Sequence, residues 1–295
     1  MRITCPVEGR RISTIRMGGP LKQLLETDQP DELAEALQTF HRSGEPLVIL
    51  GSGSNVILPE GAQALSVLRF TGRGITDLDD ETIWVESGCS IARLMGWCVQ
   101  NKRGGLEFLI GIPGTIGGAL AVNAGAFGQA IGPKLVSADL FDTAGQPQCW
   151  SPETFGFTYR SSRIKHRSEV IVRARLLSPL TDRVETVRRM REFIDYRRAH
   201  HPVTAPSAGC FFKNPKPGKE GISAGQVIDQ CGLKGFSIGD LMVSPQHANF
   251  VINRGRASQG QLDEFCRQIQ DLVRSRTGMS LEREVICIGP DGKKY

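Results

Sequence analysis

Two glycine-bearing segments offer the first chemistry in this sequence. From Gly111 to Gly128 the chain reads Gly-Ile-Pro-Gly-Thr-Ile-Gly-Gly-Ala-Leu-Ala-Val-Asn-Ala-Gly-Ala-Phe-Gly, six glycines in eighteen residues and no charge. Glycine loses more conformational entropy on folding than any other residue, so such density calls for a compensating reason: positive φ, or close approach of backbone to a ligand. Tight turns alone are one account. Exposed N–H groups beside Thr115 and Asn123, able to hold a pyrophosphate, are the favoured one. The second segment, Gly51-Ser-Gly-Ser-Asn55, follows the strand-like run Pro46-Leu-Val-Ile-Leu50. A dinucleotide fingerprint would need a last glycine and then a helix, but Val56 takes that place and Val56-Ile-Leu58 reads as extended. A P-loop fails for want of Gly-Lys-Ser/Thr.

The eight cysteines (5, 89, 98, 149, 210, 231, 266 and 287) include no Cys-x-x-Cys and no Cys/His pair at zinc spacing. Most of them read as reduced, small core residues, and no metal is expected. Lys+Arg 36 against Asp+Glu 31 leaves +5, enough to favour anionic small molecules but short of a nucleic-acid footprint, so no polynucleotide partner is expected. At 295 residues, 40% hydrophobic and 23% charged, the chain suits a globular protein of about two domains. Arg2, Arg10, Arg11 and Arg16 have no apolar run behind them, and no stretch reaches the ~18 apolar residues a membrane span needs; a cytoplasmic protein is expected.

The elements that must position these segments follow from periodicity. Pro30 precedes an amphipathic helix over residues 31–40 on Leu33, Ala34, Leu37 and Phe40. Ser90 caps a helix on Ile91, Leu94, Met95, Cys98 and Val99, which Gly104-Gly105 can end. An arginine-rich helix carries Val184, Val187 and Ile194 and stops near His200-His201-Pro202, where a domain boundary is placed. Beyond it come a helix over residues 223–230 stopped by Gly232, a strand at Phe250-Val-Ile252, an amphipathic helix over residues 258–275 and a strand at Val285-Ile-Cys-Ile288. This C-terminal part reads as a compact α+β unit.

Eight motifs in order resemble the bacterial UDP-N-acetylenolpyruvoylglucosamine reductases: Leu50-Gly-Ser-Gly-Ser-Asn55; Gly105-Leu-Glu-Phe108 leading into Gly111-Ile-Pro-Gly-Thr-Ile-Gly-Gly118; Asn123-Ala-Gly-Ala126; Tyr159-Arg-Ser-Ser162; Ser207-Ala-Gly-Cys-Phe-Phe-Lys-Asn-Pro215; Gly232-Leu-Lys-Gly235; His247-Ala-Asn-Phe250; and Leu281-Glu-Arg-Glu-Val285. The resemblance implies an α+β protein. A two-lobed FAD-binding domain of the p-cresol methylhydroxylase and vanillyl-alcohol oxidase type would span residues 1–200, with lobes of roughly 1–68 and 69–180 and then a connecting helix. A substrate-binding domain would span residues 201–295. It implies non-covalent FAD held by Gly51, Ser52, Gly53, Ser54, Asn55, Pro113, Gly114, Thr115, Gly117, Gly118, Asn123 and Gly125, and NADPH as hydride donor.

The implied reaction passes a hydride from NADPH to flavin N5 and on to C3 of the enolpyruvyl ether of UDP-N-acetylglucosamine, giving UDP-N-acetylmuramate for peptidoglycan. Negative charge then builds at C2 and on the attached carboxylate, which calls for a cation, hydrogen-bond donors and one proton donor. Arg160 matches the family's carboxylate-binding arginine, and Glu284 matches its C-terminal carboxylic acid, which burial would keep neutral. Glu282, two residues away on the same strand face, is the rival. Cys210 departs from the commoner serine that protonates C2. A thiol is more acidic than a hydroxyl and oxidisable, so activity with greater oxidant sensitivity is expected. Read alone, Arg160 would be a surface arginine, Glu284 a solvated charge and Cys210 a buried small residue.

Tyr159, Lys213, Asn214, His247 and Asn249 match segments facing substrate or nicotinamide nucleotide, and His247 is given no proton-transfer role. The chain resembles the shorter branch of the family, lacking a loop with a tyrosine over the substrate. Neither Tyr196 nor Tyr295 stands where that loop would be. A monomer is expected. Two other readings stay open on sequence: an FAD oxidase of a small alcohol, and a non-catalytic nucleotide-binding relative.

Overall fold

The computed structural model describes residues 1–215 and 221–295, and the backbone alone of His166. The chain forms two compact units, the first made of residues 1–5, 22–52 and 64–196, the second of residues 6–21, 53–63 and 197–295.

In the first unit, the strands Arg2–Thr4, Gln23–Thr27, Ser66–Phe70 and Leu47–Ile49 lie side by side in that order. Gln23–Thr27 and Leu47–Ile49 both run parallel to Ser66–Phe70 between them, so helix α1 (Pro30–Ser43) is a crossover. Its sequence explains its ends: Pro30 at the first turn, Asp31 and Glu32 against the helix dipole, and Gly44 left-handed at φ 67. Leu33, Ala36, Leu37 and Phe40 bury against Leu25, Leu68 and Phe70 of the sheet. A second sheet is antiparallel throughout, in the order Pro147–Trp150, Leu135–Phe141, Val170–Leu177, Thr82–Glu86, Ile75–Asp77.

Two helices cover the core of that second sheet: α2 (Ile91–Gln100) and α3 (Ile116–Ala121). Ser90 caps α2 as expected, its hydroxyl accepting from Arg93 N at 3.2 Å. The helix stops earlier than Gly104-Gly105, at Asn101, followed by Lys102 at φ 56. The glycines serve the next turn, where a Cβ on Gly104 would come 2.6 Å from Thr181 and Gly105 sits at φ +83. A buried Arg103 anchors that turn through the carbonyls of Asp79, Asp80 and Ser178. After α4 (Pro152–Phe155), the arginine-rich helix α5 (Arg183–His200) begins in this unit.

In the second unit, the antiparallel strands Ser207–Cys210, Phe250–Asn253, Leu241–Val243 and Ser237–Ile238 form a sheet in that order. Helices α6 (Ala224–Gln230) and α7 (Gln259–Thr277) each open with a capping box, Ser223 with Gln226 and Ser258 with Gln261. The core joins Phe211, Phe212, Val227, Leu262 and Phe265 to Ile15, Met17 and Ile57 from the early part of the chain. Strand Val56–Ile57 pairs in parallel with Ile286–Cys287, and Asn253 Nδ2 donates to Ile15 O at 2.9 Å. The second unit's long segment thus starts at Arg197, within α5, and the unit also takes in residues 6–21 and 53–63. Among the described residues no helix is long and apolar enough to cross a membrane.

Candidate active site

In the first unit, two turns meet through a glycine. Gly51 follows strand Leu47–Ile49, and a Cβ there would come 2.7 Å from Thr115 Oγ1, so a side chain at 51 would displace the Thr115 hydroxyl. Thr115 caps α3, its hydroxyl accepting from Gly118 N at 3.3 Å. The amide of Ile116 goes to Cys89 O at 3.0 Å and that of Gly117 to Ser87 O at 2.9 Å. The start of α3 is therefore satisfied by its own protein. Among the described residues, the amides of Gly51, Ser52, Gly114 and Thr115 have no protein acceptor. Uncharged N–H donors from two turns in contact fit the diphosphate of a flavin dinucleotide. The other expected cofactor residues have local reasons too. A Cβ on Gly125 would lie 2.3 Å from Gln129 O, across a tight hairpin. In the second unit, Gly53 has φ +71 and lies against Ile12 O, and Asn55 O accepts from Ile286 N at 3.1 Å. Pro113 and Ser54 are both partly or largely accessible.

Arg160 is no ordinary surface arginine. Thr158 and Ser161 exchange backbone hydrogen bonds at 3.0 and 3.2 Å around Tyr159-Arg160, and Arg160 takes the left-handed conformation at φ 54. A long side chain rarely adopts that region, and such strain survives only where the surroundings enforce it. Here Asn123 enforces it. Asn123 is a buried residue, 8% exposed, whose side chain donates from Nδ2 to Thr158 O at 2.8 Å and accepts at Oδ1 from Gly132 N at 3.0 Å. Ser162 adds a bond to Ala121 O at 2.7 Å. The glycine-rich segment is thus tied to the arginine turn, and the Asn123 amide is committed to that tie. Asn123→Ala would orphan a buried N–H and a carbonyl and place alanine at φ 46. We expect a loss of about 2–4 kcal/mol in urea unfolding.

Lys165 escaped the sequence reading. It is 5% exposed, and its Nζ lies 3.4 Å from Arg160 O. Nothing in Arg163-Ile-Lys165 distinguishes it from a solvated lysine before the fold is known. Tyr159 is exposed, its ring centroid 5.6 Å from the Arg160 guanidinium carbon.

In the second unit, the strand Ser207–Cys210 changes register against Phe250–Asn253, with Gly209 at φ +78 just before Cys210. A bulge of this kind re-aims the following side chain. The chain then runs beside residues 282–284: Glu284 N donates to Phe211 O at 2.9 Å and Lys213 N to Glu282 O at 2.8 Å. Cys210 and Glu284, both half-buried, therefore sit on neighbouring backbone segments. The rival Glu282 has a side chain 73% exposed and paired with Lys213 Nζ. Burial pushes the thiols of Cys98 and Cys266 up to about 12, leaving both inert in the cores.

The remaining polar candidates mostly brace this strand. Asn214 Oδ1 accepts from Ala224 N at 3.1 Å, at the start of α6. Asn249 grips Phe212 by both its N–H and its carbonyl. His247 Nδ1 accepts from Asn249 N at 3.1 Å, which makes it the neutral Nε2–H tautomer, and its ring meets His201 and Phe250 edge-on at 5.0 Å.

Burial lowers the His247 pKa. It takes His201 down to about 4, helped by His247, Arg197 and His200. Since the folded pKa of His201 is depressed, the unfolded chain binds the proton more readily. Stability is full above the unfolded value of 6.5 and declines as pH falls towards 4. The urea midpoint should fall across that window, and by less in His201→Phe.

Comparisons with known proteins place the chain among relatives. Residues 21–146 match the family described as FAD binding domain, and residues 201–288 match the C-terminal domain of UDP-N-acetylenolpyruvoylglucosamine reductase. The chain is 36% identical over 278 residues to UDP-N-acetylenolpyruvoylglucosamine reductase 2 of Symbiobacterium thermophilum, covering 94% of this chain and 89% of that one. It is 38% identical over 279 residues to the Chlamydia muridarum reductase, covering 94% and 92%. The crystal structure of UDP-N-acetylenolpyruvylglucosamine reductase from Thermus caldophilus superposes with a TM-score of 0.82 at 32% identity, covering 97% of this chain and 99% of that one.

Proposed function

The chain belongs to the UDP-N-acetylenolpyruvoylglucosamine reductase family, and from that premise we propose how its own residues divide the work. It is an FAD-dependent oxidoreductase of peptidoglycan precursor synthesis that uses NADPH to reduce the enolpyruvyl ether of UDP-N-acetylglucosamine to UDP-N-acetylmuramate. FAD, when bound, supplies a carrier that takes a hydride from NADPH and passes it to the substrate double bond.

The amides of Gly51, Ser52, Gly114 and Thr115 hold the FAD diphosphate, with Gly53, Ser54, Asn55, Pro113, Gly117, Gly118 and Gly125 shaping the turns around it. Arg160 binds the substrate carboxylate and neutralises charge as it grows there. Its planar donors suit a carboxylate better than an ammonium would. Glu284, half-buried beside Phe211, donates a hydrogen bond to the enolate oxygen in its protonated form. Cys210 delivers its Sγ proton to C2. Tyr159, Lys213, Asn214 and His247 line the sugar nucleotide, with donors suited to phosphate and uracil. The protein acts in the cytoplasm as a monomer.

The observation that carries this reading is the backbone bond from Glu284 N to Phe211 O, which sets the segment bearing the acid beside the segment that follows the thiol. An anaerobic titration tests it. NADPH should bleach the bound flavin, and the enolpyruvyl sugar nucleotide should restore its absorbance. A flavin that NADPH leaves oxidised but a small alcohol bleaches and oxygen restores would mark an oxidase, and one that neither reductant bleaches a non-catalytic binder.

A further inference from the structure

The strand bearing Cys210 is gripped on one edge by a single side chain. Asn249 is 3% exposed. Its Oδ1 accepts from Phe212 N at 2.9 Å and its Nδ2 donates to Phe212 O at 2.8 Å, while its own carbonyl accepts from Phe211 N at 2.8 Å. A side-chain amide thus takes over from strand pairing just past the Cys210–Phe250 pair, after the register shift between Ser207 and Cys210. On the opposite edge Phe211 O receives Glu284 N. Cys210 precedes the gripped dipeptide Phe211-Phe212, and Glu284 hangs on its far side. Phe211 and Phe212 are themselves fully buried, so the grip cannot slide without disturbing the core.

We propose that Asn249 is a positioning residue for the proton donor: it fixes the backbone that aims Cys210 and spaces Glu284, and it does not contact substrate. The inference rests on the reading of Cys210 given above. The grip depends on the polarity of the amide, one acceptor and one donor side by side. A neutral carboxylic acid reproduces that pair. An ionised carboxylate offers two acceptors, one of them facing Phe212 O.

Asn249→Asp and Asn249→Ala, with Cys210→Ala in parallel, are tested as FAD-loaded enzymes between about pH 5 and pH 8. One readout is the alkylation rate of Cys210 by iodoacetamide without substrate, followed on its peptide by mass spectrometry. The other is single-turnover re-oxidation of reduced flavin by the enolpyruvyl sugar nucleotide, which separates the substrate Kd from the limiting rate.

In Asn249→Asp the limiting rate should drop about tenfold or more at the upper pH and recover on acidification, with Kd unchanged. The ratio of variant to wild-type alkylation should shift over the same range. Asn249→Ala should show the slow rate at every pH, again with Kd unchanged, and decides the matter if the aspartate variant does not fold. A raised Kd with an unchanged limiting rate would make Asn249 a substrate ligand and overturn the proposal, as would wild-type behaviour in both readouts. Wild-type re-oxidation in Cys210→Ala would instead overturn the role of Cys210, leaving alkylation to decide whether Asn249 positions it.

Discussion

Cys210→Ala is expected to leave flavin bleaching by NADPH at the wild-type rate and to slow re-oxidation by the enolpyruvyl sugar nucleotide about 10²–10⁴-fold, the usual contribution of a placed general acid. Cys210→Ser is expected to retain turnover. Bleaching needs no proton at substrate C2, so removal of the thiol touches only the second half of the cycle. A hydroxyl is a weaker acid than a thiol, yet it holds a proton at every working pH, whereas a thiol loses its proton towards ~8.5. The serine variant should therefore keep its rate to higher pH and resist hydrogen peroxide, which the wild type should not. The buried thiols of Cys98 and Cys266, held protonated by desolvation, would not produce that sensitivity. Equal turnover in all three proteins would remove Cys210 from the mechanism.

Arg160→Ala carries the second large effect. Removing a preorganised donor from a site of developing negative charge costs about 10²–10³ in rate, and the loss should again fall on re-oxidation. Arg160→Lys should recover only part of it, because a point charge replaces a planar fork. Stability should move the other way across a matched pair. Arg160 has φ 54, where glycine is unstrained and alanine is not, so Arg160→Gly should be about 1 kcal/mol more stable than Arg160→Ala while equally impaired. Equal stabilities would mean that the turn relaxes once the side chain is gone. Full activity in either would release Arg160 from the carboxylate.

Local order was plain in the sequence where apolar spacing and caps agree. Leu33, Leu37 and Phe40 marked α1, Ser90 marked the start of α2, and Leu262 through Val273 marked α7. The six-residue helix α3 was not foreseen, because Gly117 and Gly118 oppose helix formation and only Thr115 and the buried Ile116 and Leu120 favour it. Long-range pairing was equally hidden. No local signal tells that Val56–Ile57 pairs with Ile286–Cys287, or that Ile15 and Met17 pack among Phe211, Val227 and Phe265.

At the site, motifs marked positions better than tasks. Asn123 and Asn249 stand in segments assigned to cofactor and substrate, but their amides are committed to Thr158, Gly132 and Phe212. An asparagine's letter does not say whether its partner is a ligand or a backbone. Lys165 shows the converse, since burial depends on which surfaces the fold brings over it. Which of Glu282 and Glu284 pairs with Lys213 likewise depended on how residues 282–284 run beside it.

Substrate protection of a single thiol tests the central claim most directly. With oxidised enzyme and iodoacetamide, saturating enolpyruvyl sugar nucleotide should block labelling of Cys210 while leaving the exposed Cys5 and Cys149 reacting as before. Unchanged labelling of Cys210 at saturation would place the reacting double bond elsewhere and contradict the account.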